Sequence, residues 1–510
     1  MFKKVDKNSK CYEFWSLFLL IIGICVGSGI YLKNKELIEQ TKNPLISVIL
    51  WLVIGFICVI SFVTFIEIAR STIDGGNGTT SNWSRIFISR KVASLYSIFY
   101  IFIYMPSYQA IFVAATITYF LEMVGAKLLP YQLLLIFLII GASLYIMGVI
   151  LNLKASKFSK SLQLWSLLIR YIPLIVAFFA GFILAIFSKN NWNLNSTGDA
   201  TTWNMFAGFG AILFSFDGYT FAANKQKNIK NKEVVGKAII MGLIFISIFY
   251  FLMAISLFMG GDGSIQSVLI RVISLGEPKK DSAATKVATV ITLGIMTTIY
   301  LLNVNMFTHF GITSMVSDHN MKLVYMPNVK NKIKFAAIFQ STVSYLFFAA
   351  LVICAVLVSN GDYQGITSKT ANNSLAMTYI GQMASVAVVL QFWLLTSLIV
   401  AAMVNRFTKK IDLEKQKGFW PCSIISLIAF TIVDIFGLLV FLVPDLIKSR
   451  ELKTNWVESG GLIFTMIFIT SILFVVIMWL VQEEIFKIKP FKNSFEDLVD
   501  KNMKVNNWEN

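Results

Sequence analysis

Long apolar runs alternate with short polar segments along the whole chain. Most runs hold about 20 to 27 residues, enough for a helix to cross a hydrocarbon core of roughly 30 Å. Twelve such runs are expected, at residues 12–32, 44–69, 93–121, 131–150, 161–187, 204–224, 238–259, 287–316, 335–358, 376–404, 420–442 and 460–481. No segment between them is long enough for an ordinary soluble domain. The pattern therefore predicts an all-α polytopic membrane protein with twelve transmembrane helices.

Two of these runs are interrupted by residues that disfavour a helix. The first contains GICVGSGI, and the sixth, FAGFGAILFSFDGYTFAAN, contains SFDG. Glycine is a poor helix former, and serine competes for backbone hydrogen bonds. Five spans separate the two interruptions, so the halves of the chain would have opposite orientations in the membrane, as in an inverted repeat. The alternative is that these glycines only allow close helix packing.

The distribution of positive charge predicts the orientation. An even number of spans places both termini on one side, and the segments expected on that side carry 30 of the 44 Lys and Arg residues, against 13 in the intervening loops. The positive-inside rule therefore predicts cytoplasmic termini. The net charge of +17 suits contact with anionic lipid headgroups. These lysines are scattered over short segments, which argues against a nucleic-acid-binding protein.

Composition also limits the chemistry. The chain is 56% hydrophobic and 14% charged, which excludes a soluble class. The five cysteines have no CxxC spacing, and there are only two histidines, so neither a metal site nor a cofactor is expected. There is no GxxxxGK[ST] motif, so a function driven by a nucleotide-binding domain of this type is not expected. The basic N-terminus followed by an apolar run also imitates a signal peptide, but cleavage would contradict the charge pattern of the later loops.

Interrupted helices offer unpaired backbone groups at membrane depth. Free amides at the start of one half-helix suit a carboxylate, and free carbonyls at the end of another suit an ammonium group. An α-amino acid carries both groups on one carbon. Two crossing interruptions could therefore hold its backbone and leave its side chain to a separate pocket.

Several segments resemble the amino acid–polyamine–organocation (APC) superfamily. GICVGSGIYL is similar to the first-helix signature of the superfamily, and residues 65–83 are similar to the end of its second helix. Residues 151–174 are similar to its fifth helix, and residues 206–232 are similar to its broken sixth helix. The resemblance is clear in the first half and rests mainly on span number in the second. It implies a five-plus-five inverted repeat with two additional C-terminal helices, working by alternating access.

The resemblance implies a domain division and a set of site residues. The transporter core would cover residues 12–404, with repeats at about 12–187 and 204–404. The last two transmembrane helices would lie in residues 420–481. The cytoplasmic N-terminus would be residues 1–11, and the cytoplasmic tail would be residues 482–510. The substrate carboxylate would meet the backbone amides of Gly27, Ser28, Gly29 and Ile30. Its amine would meet the carbonyls of Phe214, Ser215 and Phe216 in the sixth helix, and Asp217 and Gly218 complete the expected substrate-binding residues there. An aromatic side chain there could act as a gate; the alternative for Phe214 and Phe216 is an ordinary core or lipid-facing role.

Four charged residues of the predicted spans are candidates for a functional or structural role. Arg170 lies too deep in its span to be an ordinary surface residue. The resemblance implies that related transporters often place a lysine here, in the position that a sodium ion occupies in other members. The alternative is that the Arg170 side chain snorkels to the interface. Asp217 is the candidate proton carrier or counter-charge for the amine, or alternatively a helix cap. Glu67 is a candidate gate residue, expected to pair with a loop arginine such as Arg70 or Arg85. Asp434 lies outside the repeats, which favours a structural contact or a dimer interface.

We therefore expect a sodium-independent amino acid permease of the plasma membrane, working by proton symport or amino acid exchange. A polyamine or organic cation carrier is the alternative within transport, and it would use Asp217 as counter-charge. A channel is the alternative from another class, but no span shows the polar stripe that a pore requires. An enzyme is not expected, because no acid–base cluster is present. Tyr104, Tyr108 and Asn303 are further candidates for the pocket, while the identity of the amino acid and the oligomeric state cannot be read from the sequence.

Overall fold

The computed structural model describes residues 10–26, 28–71, 80–187, 202–218, 232–274, 282–327, 330–359, 375–452 and 460–488. These residues are predominantly helical, which confirms the predicted all-α class. Their α-helices are α1 Lys10–Cys25, α2 Ser28–Thr41, α3 Pro44–Arg70, α4 Thr80–Phe87, α5 Arg90–Phe99, α6 Met105–Met123, α7 Pro130–Lys154, α8 Ser156–Phe187, α9 Thr202–Phe216, α10 Lys232–Gly260, α11 Ile265–Ile273, α12 Ala283–Asn320, α13 Lys332–Ser359, α14 Leu375–Thr408, α15 Phe419–Leu452 and α16 Gly460–Ile488. One turn of π-helix, Tyr100–Tyr104, called the π turn here, joins α5 to α6.

Within the described residues, ten helical segments are long and apolar enough to cross a membrane. They correspond to predicted spans two to five and seven to twelve. The first and sixth predicted spans contain shorter helices. α1 has 16 residues, α2 has 14 and α9 has 15, each below the roughly 20 that a bilayer requires. The predicted termini lie largely outside the described residues, since 1–9 and 489–510 are not described.

The structure corrects several predicted boundaries. The first span was expected to end at residue 32, but α2 continues to Thr41 and brings Lys33 into the protein interior. Two short helices, α4 and α11, were not predicted; each lies in a segment expected to be a loop. Local capping explains several helix starts, since Asn43 caps α3 immediately before Pro44 and Ser282 caps α12.

The helices pack around a core that includes both short-helix regions. α2 packs against α9, α6 against α12, and α10 against both α1 and α3. α6 lies in the middle of this arrangement, with almost all of its residues buried. α16 lies at the outside, where Met466, Ile469 and Leu473 are exposed apolar side chains suited to lipid. The ends of α1, α2 and α9 therefore meet in the interior.

Candidate functional site

The first span is interrupted between Cys25, the last residue of α1, and Ser28, the first residue of α2. Gly27 lies outside the described residues, as does the side chain of Ser28. The first amides of α2 have no partner within their own helix, because an α-helix leaves its first four N–H groups unpaired. The interruption therefore presents hydrogen-bond donors at a buried position.

The start of α2 is pressed against the end of α9. A Cβ atom added to Gly29 would lie 2.6 Å from both Cα and Oγ of Ser215. Real Cβ contacts of that length essentially do not occur, so only glycine allows this approach. Ile30, the next residue, is fully buried. The two predicted interruptions are thus in direct contact.

The end of α9 brings Phe214, Ser215 and Phe216 to this contact, all of them buried. Burial removes the lipid-facing alternative for both phenylalanines. The Tyr250 hydroxyl of α10 lies 2.6 Å from the carbonyl oxygen of Cys25 and 3.2 Å from that of Ser215. One hydroxyl proton can serve only one of these carbonyls at a time. Tyr250, which the sequence did not single out, therefore joins the two interrupted helices through their terminal carbonyl groups.

Asp217 follows α9, in a turn with Gly218, whose φ of 96° favours glycine. The carboxylate accepts hydrogen bonds from Tyr108 Oη at 2.6 Å and from Tyr104 Oη, both at Oδ2, and from the Gly218 amide at 2.8 Å at Oδ1. Tyr104 is the last residue of the π turn, a feature that often marks functional sites. The sequence named both tyrosines only as pocket candidates; the structure brings them to the Asp217 carboxylate. The second half of the sixth span, which Asp217 could cap, lies outside the described residues.

An aromatic stack lies beside this carboxylate. The Tyr108 ring is stacked on Phe214 at 4.6 Å and on Phe307 of α12 at 5.0 Å, with interplanar angles of 15° and 4°. Tyr108 is therefore held on both faces while its hydroxyl binds Asp217.

Lys33 is a buried cation at a position where the sequence predicts a loop. Its side chain in α2 is 0% exposed, and its Nζ donates to Glu36 Oε2 at 2.5 Å, to the Gly381 carbonyl at 2.9 Å and to Ser385 Oγ at 2.9 Å. The ammonium group also lies 5.1 Å from the centre of the Phe214 ring. Lys33 therefore connects α2, α9 and α14 on one side of the interruptions. In the sequence, the three-residue spacing between Lys33 and Glu36 could have predicted this ion pair, because it allows an i,i+3 contact on a helix.

Arg170 of α8 is buried, with 2% exposure. Its guanidinium donates to Asn303 Oδ1 of α12 at 3.2 Å and to the Ser166 carbonyl at 3.1 Å, so the side chain points inward instead of snorkelling. Contact with the first span is made by neighbouring groups. Tyr31 Oη donates to the Arg170 carbonyl at 2.6 Å, and Tyr171 Oη donates to a carbonyl of α1 at 2.8 Å. The α8 region around Arg170 thus connects α1, α2 and α12.

Glu67 forms an ion pair near the end of α3, but the expected partners were wrong. Arg406 of α14 donates to Glu67 through Nε at 2.7 Å and Nη2 at 2.5 Å, and the Gln416 amide donates at 2.8 Å. Arg70 instead lies 3.7 Å from Glu414, and Arg85 donates to a backbone carbonyl. Both charged contacts of α14 were missed, because their partners are distant in sequence and Arg406 reads as an ordinary loop residue.

Among the described residues, no group of three or more His, Cys, Asp or Glu side chains could hold a metal ion. The site instead combines backbone amides and carbonyls, a tyrosine-bound carboxylate and aromatic rings. Such a set can bind a small molecule that carries both charges, through polar groups within an apolar interior.

Comparisons with known proteins identify the family of this chain. The amino acid permease family model matches residues 12–468. An uncharacterized protein of Mycoplasma pneumoniae (strain ATCC 29342 / M129 / Subtype 1) is 20% identical over an alignment 555 residues long, and the alignment covers 92% of this chain and 93% of that protein. Amino acid transporter protein 6 of Caenorhabditis elegans is 23% identical over 255 residues, 48% of this chain and 47% of that protein. The predicted family is thereby confirmed: this chain is a multi-pass membrane protein that belongs to the amino acid permease family.

Proposed function

We propose that this protein is a secondary transporter that moves amino acids across the plasma membrane by alternating access, without sodium, by proton symport or amino acid exchange. The observation that carries the proposal is the contact between the two interrupted helices, where Gly29 packs directly on Ser215. A site at this contact can bind a carboxylate and an ammonium group of the same molecule. Membership of the amino acid permease family supports the substrate class.

The substrate carboxylate binds the backbone amides of Gly27, Ser28, Gly29 and Ile30, of which Gly27 lies outside the described residues. The substrate amine binds carbonyls at the end of α9, with Asp217 and Gly218 beside them. Tyr250 exchanges its hydrogen bond between the two interruptions as the amine enters. Asp217 serves as counter-charge or proton carrier, and its two tyrosine donors hold the carboxylate when the amine is absent.

Arg170 fills the place of a coupling sodium ion. It supplies a permanent positive charge, since a guanidinium remains protonated at physiological pH. Its contact with Asn303, and those of Tyr31 and Tyr171, tie the first span to α12. A fixed cation cannot leave with the substrate, so coupling to a proton gradient requires another group.

Two polar closures at opposite ends of α14 support alternating access. Lys33 binds Gly381 and Ser385 near one end, and Arg406 binds Glu67 near the other. Opening toward either side of the membrane breaks one closure and retains the other. With cytoplasmic termini, Lys33 closes the outer side and Glu67 the inner side.

We further propose twelve spans. The ten long helices account for ten of them. α1 with α2 forms the first, interrupted span, and α9 begins the sixth, whose second half lies outside the described residues. The inverted repeats then cover about 12–187 and 204–404. α15 and α16 supply the two additional helices of residues 420–481, and residues 1–11 and 482–510 lie on the cytoplasmic side.

Uptake by the purified protein in liposomes tests this proposal. A panel of labelled amino acids is offered with and without sodium, a pH gradient and internal amino acid. We expect uptake of at least one amino acid without sodium, stimulated by the pH gradient or by internal amino acid. Uptake of putrescine but no amino acid would establish the organic cation alternative, and an absolute sodium requirement would overturn the role given to Arg170.

A further inference from the structure

Asp434 is a buried carboxyl group that the proposed transport site does not use. It lies in α15 with 3% exposure, opposite Thr396 of α14. At 1.5 Å per residue, Asp434 is about 22 Å along α15 from Phe419, and Thr396 is about 18 Å from the end of α14. Both residues therefore lie within the hydrocarbon depth of the membrane. The sequence favoured a structural contact or a dimer interface here; its surroundings indicate a more specific role.

The hydrogen bonds of Thr396 indicate the protonation of Asp434. Thr396 Oγ1 lies 2.9 Å from the carbonyl oxygen of Phe392 and 3.1 Å from Asp434 Oδ2. A threonine hydroxyl carries one proton, and a backbone carbonyl can only accept. If Asp434 were ionised, one of these two contacts would join oxygen atoms with no proton between them. If Asp434 carries a proton on Oδ2, it donates to Thr396, which donates to Phe392, and both contacts are satisfied.

The other carboxyl oxygen supports the same protonation. Asp434 Oδ1 is buried and has no hydrogen-bond partner within the described part of the chain. An ionised carboxylate with a single partner at membrane depth is costly, whereas a neutral acid loses far less on burial. The neutral form therefore explains why one oxygen is left without a donor.

Neighbouring charges do not compensate an ionised Asp434. α15 packs against α3, α9, α14 and α16. In the described parts of these elements, including the turn after α9, the titratable groups are Cys58, Glu67, Arg70, Asp217, Tyr379, Arg406, Glu483, Glu484 and Lys487. The charged ones have other partners: Glu67 with Arg406, Arg70 with Glu414, Asp217 with two tyrosines, Glu483 with Arg90, and Glu484 with Lys487. None of these groups forms a hydrogen bond or ion pair with Asp434 among the described contacts.

We propose that Asp434 and Thr396 form a proton-binding site between α14 and α15, separate from the amino acid site. In the present conformation Asp434 holds the proton on Oδ2 and donates it to Thr396. Displacement of α14 removes this acceptor; the proton then passes from Oδ2 to water, leaving a carboxylate. The coupling of this step to transport rests on the proposed function, because it uses the movement of α14 in alternating access.

Infrared spectroscopy of the full-length protein in liposomes tests proton binding directly. We expect the wild type minus Asp434→Asn difference spectrum to contain the carbonyl band of a protonated carboxylic acid, shifted in heavy water. In Thr396→Val, which keeps the side-chain shape but removes the acceptor, this band moves to higher frequency. Asp262→Asn, at an exposed loop residue, is the matched control and should change only carboxylate bands. A difference spectrum for Asp434→Asn that contains only carboxylate bands would overturn the proposal.

Uptake measurements test the coupling separately. An asparagine side chain resembles the neutral acid and can donate to Thr396, so we expect Asp434→Asn to retain amino acid exchange but to lose the response of uptake to a pH gradient. A variant with the full wild-type response, or a wild type with none, would refute the coupling. Failure to transport any amino acid would refute the proposed function, while the infrared band would still decide whether Asp434 binds a proton.

Discussion

The contact between Gly29 and Ser215 gives the sharpest prediction about the site. In Gly29→Ala the added methyl group would meet Ser215 Cα and Oγ at 2.6 Å. Carbon atoms in good contact lie about 3.5–4.0 Å apart, so α2 and α9 would have to separate by roughly 1 Å. Overpacking of this kind costs about 1–3 kcal/mol. Because the proposed ligands are backbone groups of these two helices, the separation also moves the carboxylate and amine sites apart.

We expect Gly29→Ala to lower the initial rate of amino acid uptake by about 10- to 100-fold, since a misplacement of 1 Å in a binding geometry can cost about a hundredfold. Gly294→Ala is the matched control. It is also a glycine-to-alanine change within a membrane helix, but its new methyl group would meet only Met123 Sδ, at 3.5 Å. Both variants are reconstituted at equal protein content, and their melting temperatures are compared in detergent.

A second variant separates steric conflict from loss of folding. Ser215→Gly combined with Gly29→Ala removes the conflicts with Oγ and Cβ of Ser215 but retains that with its Cα. Uptake should therefore recover only in part. Uptake by Gly29→Ala within about twofold of the wild type would show that the substrate site does not depend on this contact, because a separation of about 1 Å would otherwise lower the uptake rate.

Three further predictions concern the buried cations. Lys33→Met should open the outer side, because hydrogen bonds to a charged group contribute about 1.5–3 kcal/mol each. In a background without the other cysteines, we expect Cys25 to react about tenfold faster with a membrane-impermeant thiol reagent. An unchanged reaction rate would argue against this closure. Glu67→Gln should destabilise the protein by up to about 3–5 kcal/mol, as it leaves Arg406 without its anion; thermal unfolding measures this, and a melting temperature equal to that of the wild type would contradict the pairing. Arg170→Leu should abolish uptake and Arg170→Lys should restore only part, because an ammonium group cannot reproduce the geometry of the guanidinium contacts; full uptake by the leucine variant would remove Arg170 from the mechanism.

The helical class and the positions of the interruptions could be read from the sequence because their causes are local. Apolar run length determines whether a helix can span, and Gly-Ser-Gly and Ser-Phe-Asp-Gly weaken a helix wherever they occur. The depth of Arg170 within its span likewise follows from counting residues. These features require no knowledge of which helices are neighbours.

The charged closures could not be read in the same way. Lys33 and its partner Gly381 are 348 residues apart, and Glu67 and Arg406 are 339 apart. Hydropathy places a lysine or arginine at the end of an apolar run in a loop, and only the packing of α14 reveals that both are held inside. Tyr250 is a similar case, since nothing within α10 distinguishes it from the other aromatic residues.

In the proposed function, the site binds both charged groups of an amino acid backbone at once. Competition against uptake of the best amino acid substrate tests it most directly, using that amino acid, its N-acetyl derivative and the amine that lacks its carboxylate. We expect both derivatives to compete at least about a hundredfold more weakly than the amino acid, because each leaves buried backbone groups unpaired. An amine that competes as well as the amino acid would show that the amides at the start of α2 bind no carboxylate, and would rule out a site for both charged groups.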